Sequence, residues 1–330
     1  MAQEPFDVVT GAFSYSGSAI AKELGKAGVR VRTLTGHPER AGSSSDIEVH
    51  PLDFDDQPAL VESMRGARTL YNTYWVRFAR GRADHEAAVA NSRTLFYCAR
   101  RAGVQRIVHV SITNPSLTSP YPYFRGKAQV ERALFESGVP HTVLRPAILF
   151  GGRGVLINNI AWLLRRLPVF AVGGLGHYRI RGIHVDDLAK LCTDAGARSA
   201  DCEVVEAVGP ERPTFRELAE QVKAAVGSRS VIVPVPGRLL PPISAVLGTV
   251  LHDTLLTREE YQAMADGLAD TTGPATGHTR LSSWLDDNAS TLGRQYLNEL
   301  DLHFRPPAPA RTAAPVHPGD EPKPGREQAR

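Results

Sequence analysis

Tyr123 and Lys127, in the stretch SPYPYFRGKAQVE at 119–131, stand four residues apart just past a cluster of prolines, where a helix would begin. One helical turn puts both side chains on the same face. A phenol titrates near pH ~10, and a neighbouring ammonium favours its phenolate, so such a pair could exchange a proton at neutral pH. Preferential stabilisation of the phenolate by about 3 to 4 kcal/mol would suffice. A third group is needed to polarise a substrate oxygen, and the stretch HVSITNPS offers two hydroxyls, Ser111 and Thr113. The spacing of Tyr123 and Lys127 is weak by itself, so the surrounding residues must supply the context.

The strongest context is the run TGAFSYSGSAIAKELGKAG, where Gly11, Ser14 and Gly17 fall at the three positions of a G-x-x-G-x-x-G turn. Gly11 would permit the bend, Gly17 would let a helix approach the strand, and N–H groups opening that helix would hold a pyrophosphate. Phe13, Tyr15 and Ser16 fill the intervening positions and would border it. At Ser14 a Cβ could obstruct the phosphate, or the hydroxyl could donate to it. The alternative is a βα turn that holds no ligand.

Cofactor type turns on the second strand, which ends Arg32-Thr33-Leu34-Thr35-Gly36-His37 with Arg40 nearby and no carboxylate. A ribose with free hydroxyls usually finds Asp or Glu there, whereas a 2′-phosphate wants positive charge, so Arg32 and His37 lean the reading toward NADP over NAD. Further on, Asp53 could accept from an adenine amine while Phe54 lines its pocket, or Asp53 could cap the next helix. Asn72, Thr73 and Tyr74 follow the fourth strand and could line the cofactor. Trp75 reads as core or as a substrate contact, and Arg77 as a partner for an anionic group. Tyr121 lies off the helical face of Lys127. His184 with Asp186 and Asp187 reads as a helix cap, because no second histidine is spaced to share a metal.

The elements that must position these residues are legible as alternation. From residue 6 to about 150 the β-branched runs FDVVT, VRVRTLT, DIEVHPL, TLYNTY, RIVHVSIT and HTVLRPAI alternate with helix-patterned stretches at 18–27, 58–64, 83–102 and 123–137. Gly28, Gly103 and Gly138 close three of the helices. This is the rhythm of βαβ units in a doubly wound, Rossmann-like parallel sheet. Residues 1–150 would form the dinucleotide-binding domain, with returning segments near 181–208. Residues 151–304 would form a smaller, mostly helical substrate lobe, with helices at 156–166, 214–226, 239–252, 258–268 and 281–304. The tail at 305–330, rich in Pro, Ala and charge, should be disordered.

Composition narrows the partners. With 38 basic and 35 acidic residues the net charge is +3, so nothing indicates nucleic acid, and a small-molecule substrate is expected. Cys98, Cys192 and Cys202 are widely spaced and read as reduced core thiols. The amino terminus carries no secretory pattern and no stretch reaches spanning length, which points to a cytoplasmic protein. Peripheral membrane contact through 156–166 or 239–251 is a lesser expectation. Oligomeric state is not legible.

Taken together, the Gly11–Gly17 turn, Asp53, Tyr123-x-x-x-Lys127, Leu144-Arg145-Pro146 and Ile183-His184-Val185-Asp186-Asp187-Leu188-Ala189 occur in an order that resembles the short-chain dehydrogenase/reductase superfamily. The resemblance is to its atypical and extended members, the NAD-dependent epimerase/dehydratase group, and runs from residue 6 to about 305. It implies that Tyr123 is the acid/base, that Lys127 also holds the nicotinamide ribose, and that Pro146 borders the cofactor. It further implies a serine at the place of Ser111, and an asparagine, here Asn91, that orders water near the lysine; plain helix packing is the alternative for Asn91. The loop between Ser111 and Tyr123 is shorter than in many extended members. The chain is also similar to the nucleotide-binding accessory subunit of respiratory complex I. Two readings follow: an NAD(P)-dependent oxidoreductase or epimerase acting on a small carbonyl or hydroxyl substrate, sugar nucleotides included, and a non-catalytic NAD(P)-binding scaffold or redox sensor.

Overall fold

The computed structural model describes residues 5–41, 46–77, 84–198 and 202–304. Its strands are β1 (Phe6–Thr10), β2 (Arg30–Thr35), β3 (Glu48–Pro51), β4 (Ala67–Asn72), β5 (Arg106–Val110), β6 (His141–Pro146), β7 (Ile148–Phe150), β8 (Val169–Gly173), β9 (Gly182–His184), β10 (Glu203–Ala207) and β11 (Val231–Val235). Its helices are α1 (Tyr15–Lys26), α2 (Gln57–Met64), α3 (His85–Ala102), α4 (Pro122–Glu136), α5 (Val155–Arg166), α6 (Val185–Ala197), α7 (Phe215–Ala225), α8 (Leu240–Leu251), α9 (Arg258–Ala265), α10 (Leu281–Asn288) and α11 (Glu299–Phe304).

Side-chain alternation along β1 sets the layers. Phe6 and Val8 enter a core shared with residues of α2, α3 and α4, such as Leu60, Leu95 and Leu134. Val9 turns the other way, into a core with Ile20 and Leu24 of α1 and Leu188 and Cys192 of α6. Between the layers lies a seven-stranded sheet of order β10-β6-β5-β4-β1-β2-β3. Every ladder in it is parallel, and the winding direction reverses between β1 and β4. The fold is therefore Rossmann-like and doubly wound, and its reversal point opens a crevice beyond the carboxyl ends of β1 and β4.

After β6 the chain leaves the sheet, and α6 and β10 return to it. A separate core joins α5, α7 and α10, with Ile160, Leu164, Leu218, Val222 and Leu285 at its centre. Short parallel pairs, β7 with β9 and β8 with β11, frame this lobe. The apolar face of α5 is consumed by that core, since Ile157, Ile160 and Leu164 are buried in it.

The structure departs from the sequence-based expectations in several places. The single helix expected at 281–304 is two, α10 and α11, joined by a turn in which Gly293 (φ 69°) lies against α5. A Cβ at Gly293 would sit 2.5 Å from the Trp162 backbone nitrogen, so the close contact excludes any larger residue. Helix α1 begins at Tyr15, three residues before the expected start, which makes Ser14 its N-cap. Cys98 and Cys192 are buried as expected, whereas Cys202 is exposed beside His141. Strand β11 was missed, although the run VIVPV carries a strand signal. The tail at 305–330 lies outside the described residues. Among those described, no helix is long and apolar enough to cross a membrane.

Candidate functional site

At the crevice the β1–α1 turn is built around two glycines. Gly11 has φ 64°, and its carbonyl accepts from the Ser14 N–H at 2.8 Å. A Cβ on Gly17 would lie 2.1 Å from that same carbonyl oxygen, so only glycine lets α1 come this close to β1. The Ser14 hydroxyl is tucked between the two, 2.9 Å from the position of such a Cβ, and makes no capping bond. Tyr15, the first residue of α1, reaches away from the turn: its hydroxyl donates to the Gly151 carbonyl at 2.7 Å and ties α1 to the loop before α5. Burial, then the nearby Asp186 carboxylate, pushes the Tyr15 phenol well above its ordinary range. Phe13 and Ser16 are partly exposed at the mouth of the turn.

Behind the turn, a hydrogen-bonded seam crosses the ends of β1, β4 and β5. Asn72 is fully buried; its Oδ1 accepts from the Thr10 hydroxyl (3.2 Å) and the Tyr74 N–H (3.1 Å), and its amide meets His109 Nδ1 at 3.1 Å. Asn72 thus positions the crevice floor and has no surface with which to line a cofactor. The Thr73 hydroxyl donates to the Thr10 carbonyl at 2.7 Å, within reach of the Gly11 turn. Tyr74 is partly exposed: Asn91 donates to its hydroxyl at 2.9 Å and its ring meets Phe54 at 4.9 Å. Asn91 is therefore engaged with Tyr74. Asp53 accepts from the Asp55 N–H and stays exposed, while the cap of α2 is Asp56, three residues further on.

Two charged candidates near the cofactor edge are differently placed. Arg32 sits mid-strand and is not brought to the crevice: its guanidinium stacks on Phe6 at 4.2 Å, donates to the Ser63 carbonyl and pairs with Glu48 at 2.9 Å. His37 does stand at the end of β2, but it pairs with Glu39 at 3.0 Å. A carboxylate is thus present next to the position where a 2′-phosphate would need positive charge.

The Tyr123–Lys127 pair is arranged around a residue that sequence spacing does not reveal. The Trp75 indole stacks on His85 (5.6 Å), meets the Tyr123 ring edge-on (5.6 Å) and lies over the Lys127 ammonium, 4.7 Å from Nζ to ring centroid. Gly126 makes room for it, because a Cβ there would be 2.8 Å from Trp75 Cη2. Lys127 is 3% exposed and donates to the Val110 carbonyl at 3.0 Å. Burial brings its pKa down to about 7, opposed by the Glu131 carboxylate. The Tyr123 phenol is pushed up to about 12 by burial, with the Arg77 guanidinium pulling down and Glu260 pushing further up. The cation that acts on Tyr123 is thus Arg77, and Arg77 is itself held by Glu260 at 3.0 Å and Glu299 at 2.7 Å. It is already neutralised within the protein, so it differs from the anion partner expected from sequence.

The two candidate hydroxyls are separated by their partners. Thr113 donates to Glu206 at 2.8 Å, in a partly buried network with Arg145 and Glu131. Ser111 is 4% exposed, and its hydroxyl has no hydrogen-bond partner among the described residues. Pro146 ends β6 beside them, its carbonyl accepting from the Thr113 N–H. The loop from Ser111 to Tyr123 is bolted to the lobe, since Asn114 donates to the Leu268 and Asp270 carbonyls and Tyr121 donates to Asp266 at 2.5 Å. His184 caps α6 by accepting from the Asp186 N–H, as expected. No cluster fit to hold a metal occurs among the described residues.

Comparison with known proteins agrees with this fold. Residues 11–158 match the family described as NAD(P)H-binding. The chain is 23% identical over 231 residues to the mitochondrial NADH-ubiquinone oxidoreductase 40 kDa subunit of Neurospora crassa, covering 68% of this chain and 60% of that one. In structure it is similar to triphenylmethane reductase of Citrobacter sp., with a TM-score of 0.72 and 20% identity over 86% of this chain and 99% of the other. That reductase has also been solved with NADP(H). A nucleoside-diphosphate-sugar epimerase from Staphylococcus aureus gives a TM-score of 0.69 at 18% identity, over 85% of this chain and 99% of that one. The chain thus spans less than two thirds of the Neurospora subunit. The similarity to the complex I subunit and the nucleotide-binding Rossmann-like fold, both drawn from the motifs, are borne out, and the fold is shared with reductases and epimerases.

Proposed function

We propose that this chain, whose residues 11–158 match an NAD(P)H-binding family, uses a nicotinamide dinucleotide to reduce a small carbonyl substrate in the manner of extended short-chain dehydrogenase/reductases. One observation carries the reading: the phosphate-type turn and the residues Ser111, Tyr123 and Lys127 belong to the carboxyl ends of β1 and β5 and the start of α4, on the crevice where winding reverses. The residues present fit a dinucleotide. N–H groups of Tyr15, Ser16 and Gly17 open α1 without intrahelical acceptors, and the close Gly17 contact sets that N-terminus against the Gly11 turn. Phe54 and Tyr74 offer rings on the adenine side. When bound, the dinucleotide supplies the hydride.

The chain's own residues then hold an oxygen and provide a proton. Ser111, buried with an uncommitted hydroxyl, is the group that orients the substrate oxygen, in preference to Thr113. Tyr123 donates the proton. A phenol near pKa 12 stays protonated at neutral pH, which suits an acid in the reductive direction better than a base for hydroxyl oxidation or epimerisation. Lys127 supports the crevice through Val110 and, as the family resemblance implies, would hold nicotinamide ribose hydroxyls. The choice of NADP over NAD rests on His37 and is weakened by its Glu39 partner. The lobe anchored through Asn114 and Tyr121 selects the substrate.

The second reading, a nucleotide-binding scaffold or sensor, is favoured by the same Trp75, which covers Lys127 and abuts Tyr123. Nicotinamide fluorescence titration and turnover on a panel of quinones and aldehydes separate the two. We expect Tyr123→Phe to keep dinucleotide affinity and lose about 10²-fold or more in kcat. Wild-type protein that binds NADH or NADPH and reduces no panel member supports the scaffold, and unchanged kcat in the variant removes Tyr123 from the chemistry.

A further inference from the structure

Far from the crevice, the lobe carries a concentration of positive charge that the proposed reaction does not use. Arg165 and Arg166 end α5, Arg229 follows the turn after α7, and Arg294 follows Gly293; the four line one cavity of about 570 Å³ together with Val226, Gly227 and Ser228. Part of this charge is structural. Arg165 donates to the carbonyls of Leu292, Val226 and Ala289, and Arg166 to those of Trp162, Gly293 and Arg294, which clamps the 289–295 turn against α5. Carbonyls satisfy donors but cancel no charge. The C-terminal dipole of α5 offsets only about half an elementary charge.

No carboxylate pairs with any of the four among the described residues. Some exposed arginines elsewhere do find one, as Arg132, Arg198 and Arg216 do, and others such as Arg100 and Arg238 find none among the described residues; what sets this site apart is four guanidinium groups lining one concavity. Arg165 instead has its pKa lowered by burial and by the neighbouring Arg294 and Arg166 charges. Arg294 spends only its Nε, on the Ser290 carbonyl, and Arg229 makes no hydrogen bond within the described chain. Spare guanidinium donors facing one concavity, with like charges held together and no internal counter-charge, match the geometry of phosphate oxygens. Beside the cavity the first residues of β8 and β11, Val169 and Val231, pair in register and are both exposed.

We propose that this four-arginine cavity is a binding site for a multiply charged phosphate group, separate from the dinucleotide crevice. Arg229 and Arg294 supply the adjustable donors, while Arg165 and Arg166 hold the wall in place. The phosphate could be carried by a dissolved molecule or by a lipid headgroup, and the exposed valine pair would lie against the surface in the second case.

The test compares the full chain with Arg229→Ala/Arg294→Ala, which leaves the clamp made by Arg165 and Arg166 intact, and with Arg229→Lys/Arg294→Lys. NADH or NADPH titration first establishes that all three proteins carry an intact crevice. Calorimetric titration with inorganic tripolyphosphate should show salt-sensitive binding to wild type, about tenfold weaker in the alanine variant and partly restored in the lysine variant. Flotation with vesicles containing phosphatidic acid, whose phosphomonoester headgroup carries more than one charge near neutral pH, reads the source. A flotation signal lost in the alanine variant assigns a headgroup, and tripolyphosphate binding without such a signal assigns a dissolved phosphate. If neither probe distinguishes the alanine variant from wild type, the proposal is wrong.

Discussion

Lys127 shows how far one residue's role depends on what covers it. In an open crevice it would be a cation one turn from Tyr123; here its ammonium lies between the Val110 carbonyl and the Trp75 ring, and burial brings it down to about 7. The consequence for stability has a definite sign. The unfolded lysine keeps its proton up to pH ~10.5 while the folded one gives it up near 7, so the unfolded state binds more protons within that window. Its contribution to stability therefore rises with pH from about 7 to 10.5, and below 7 the full cost of a buried ammonium is present. Lys127→Met should gain most over wild type below pH 7, and the difference should shrink as pH rises. Urea unfolding of both proteins at pH 6, 8 and 9.5 measures it; a pH-independent difference would mean that the lysine is charged throughout.

Among the elements, α1 and α4 carry the site, and each is positioned by a glycine that a neighbour demands. Gly17 lets α1 meet the Gly11 carbonyl, and Gly126 lets Trp75 lie against α4. A methyl at position 17 would meet backbone, which cannot swing aside as a side chain can. Gly17→Ala should cost about 1 to 3 kcal/mol of stability and weaken NADH or NADPH binding at least tenfold, read by thermal denaturation and fluorescence titration. Retained affinity would place the dinucleotide elsewhere. The G-x-x-x-x-x-G spacing made Gly17 legible in the sequence. Gly126 was not, because nothing in a run of residues says that Trp75, far earlier in the chain, must fit above it.

Across the whole molecule, the two halves are held together at the site itself. Arg77 joins the segment after β4 to Glu260 of α9 and Glu299 of α11, while Asn114 and Tyr121 tie the β5–α4 loop to residues 266–270. Calorimetry of wild type should accordingly give one unfolding transition, raised when NADH or NADPH is added, since binding at about 100 times Kd contributes about 2.7 kcal/mol. Arg77→Met with Asn114→Ala should split or broaden it, with the dinucleotide-sensitive part confined to the parallel-sheet half. A transition that stays single and fully responsive would show that burial between the halves, rather than these polar ties, makes them cooperative.

The amino-acid sequence by itself determined the parallel sheet, the order of its motifs and the glycine turn, because strand alternation, helix periodicity and glycine spacing are local consequences of backbone geometry. It also marked Tyr123, Lys127 and Ser111 as candidates by type and position. Only the tertiary structure decided which side chains are free to act. Arg32 is taken by Glu48, Thr113 by Glu206 and Arg77 by two carboxylates from another part of the chain, whereas Ser111 is left without a hydrogen-bond partner among the described residues. Pairing of buried charges and hydroxyls is settled by residues distant in sequence, and burial, which sets the proton affinity of Tyr123 and Lys127, exists only once the chain has folded around them.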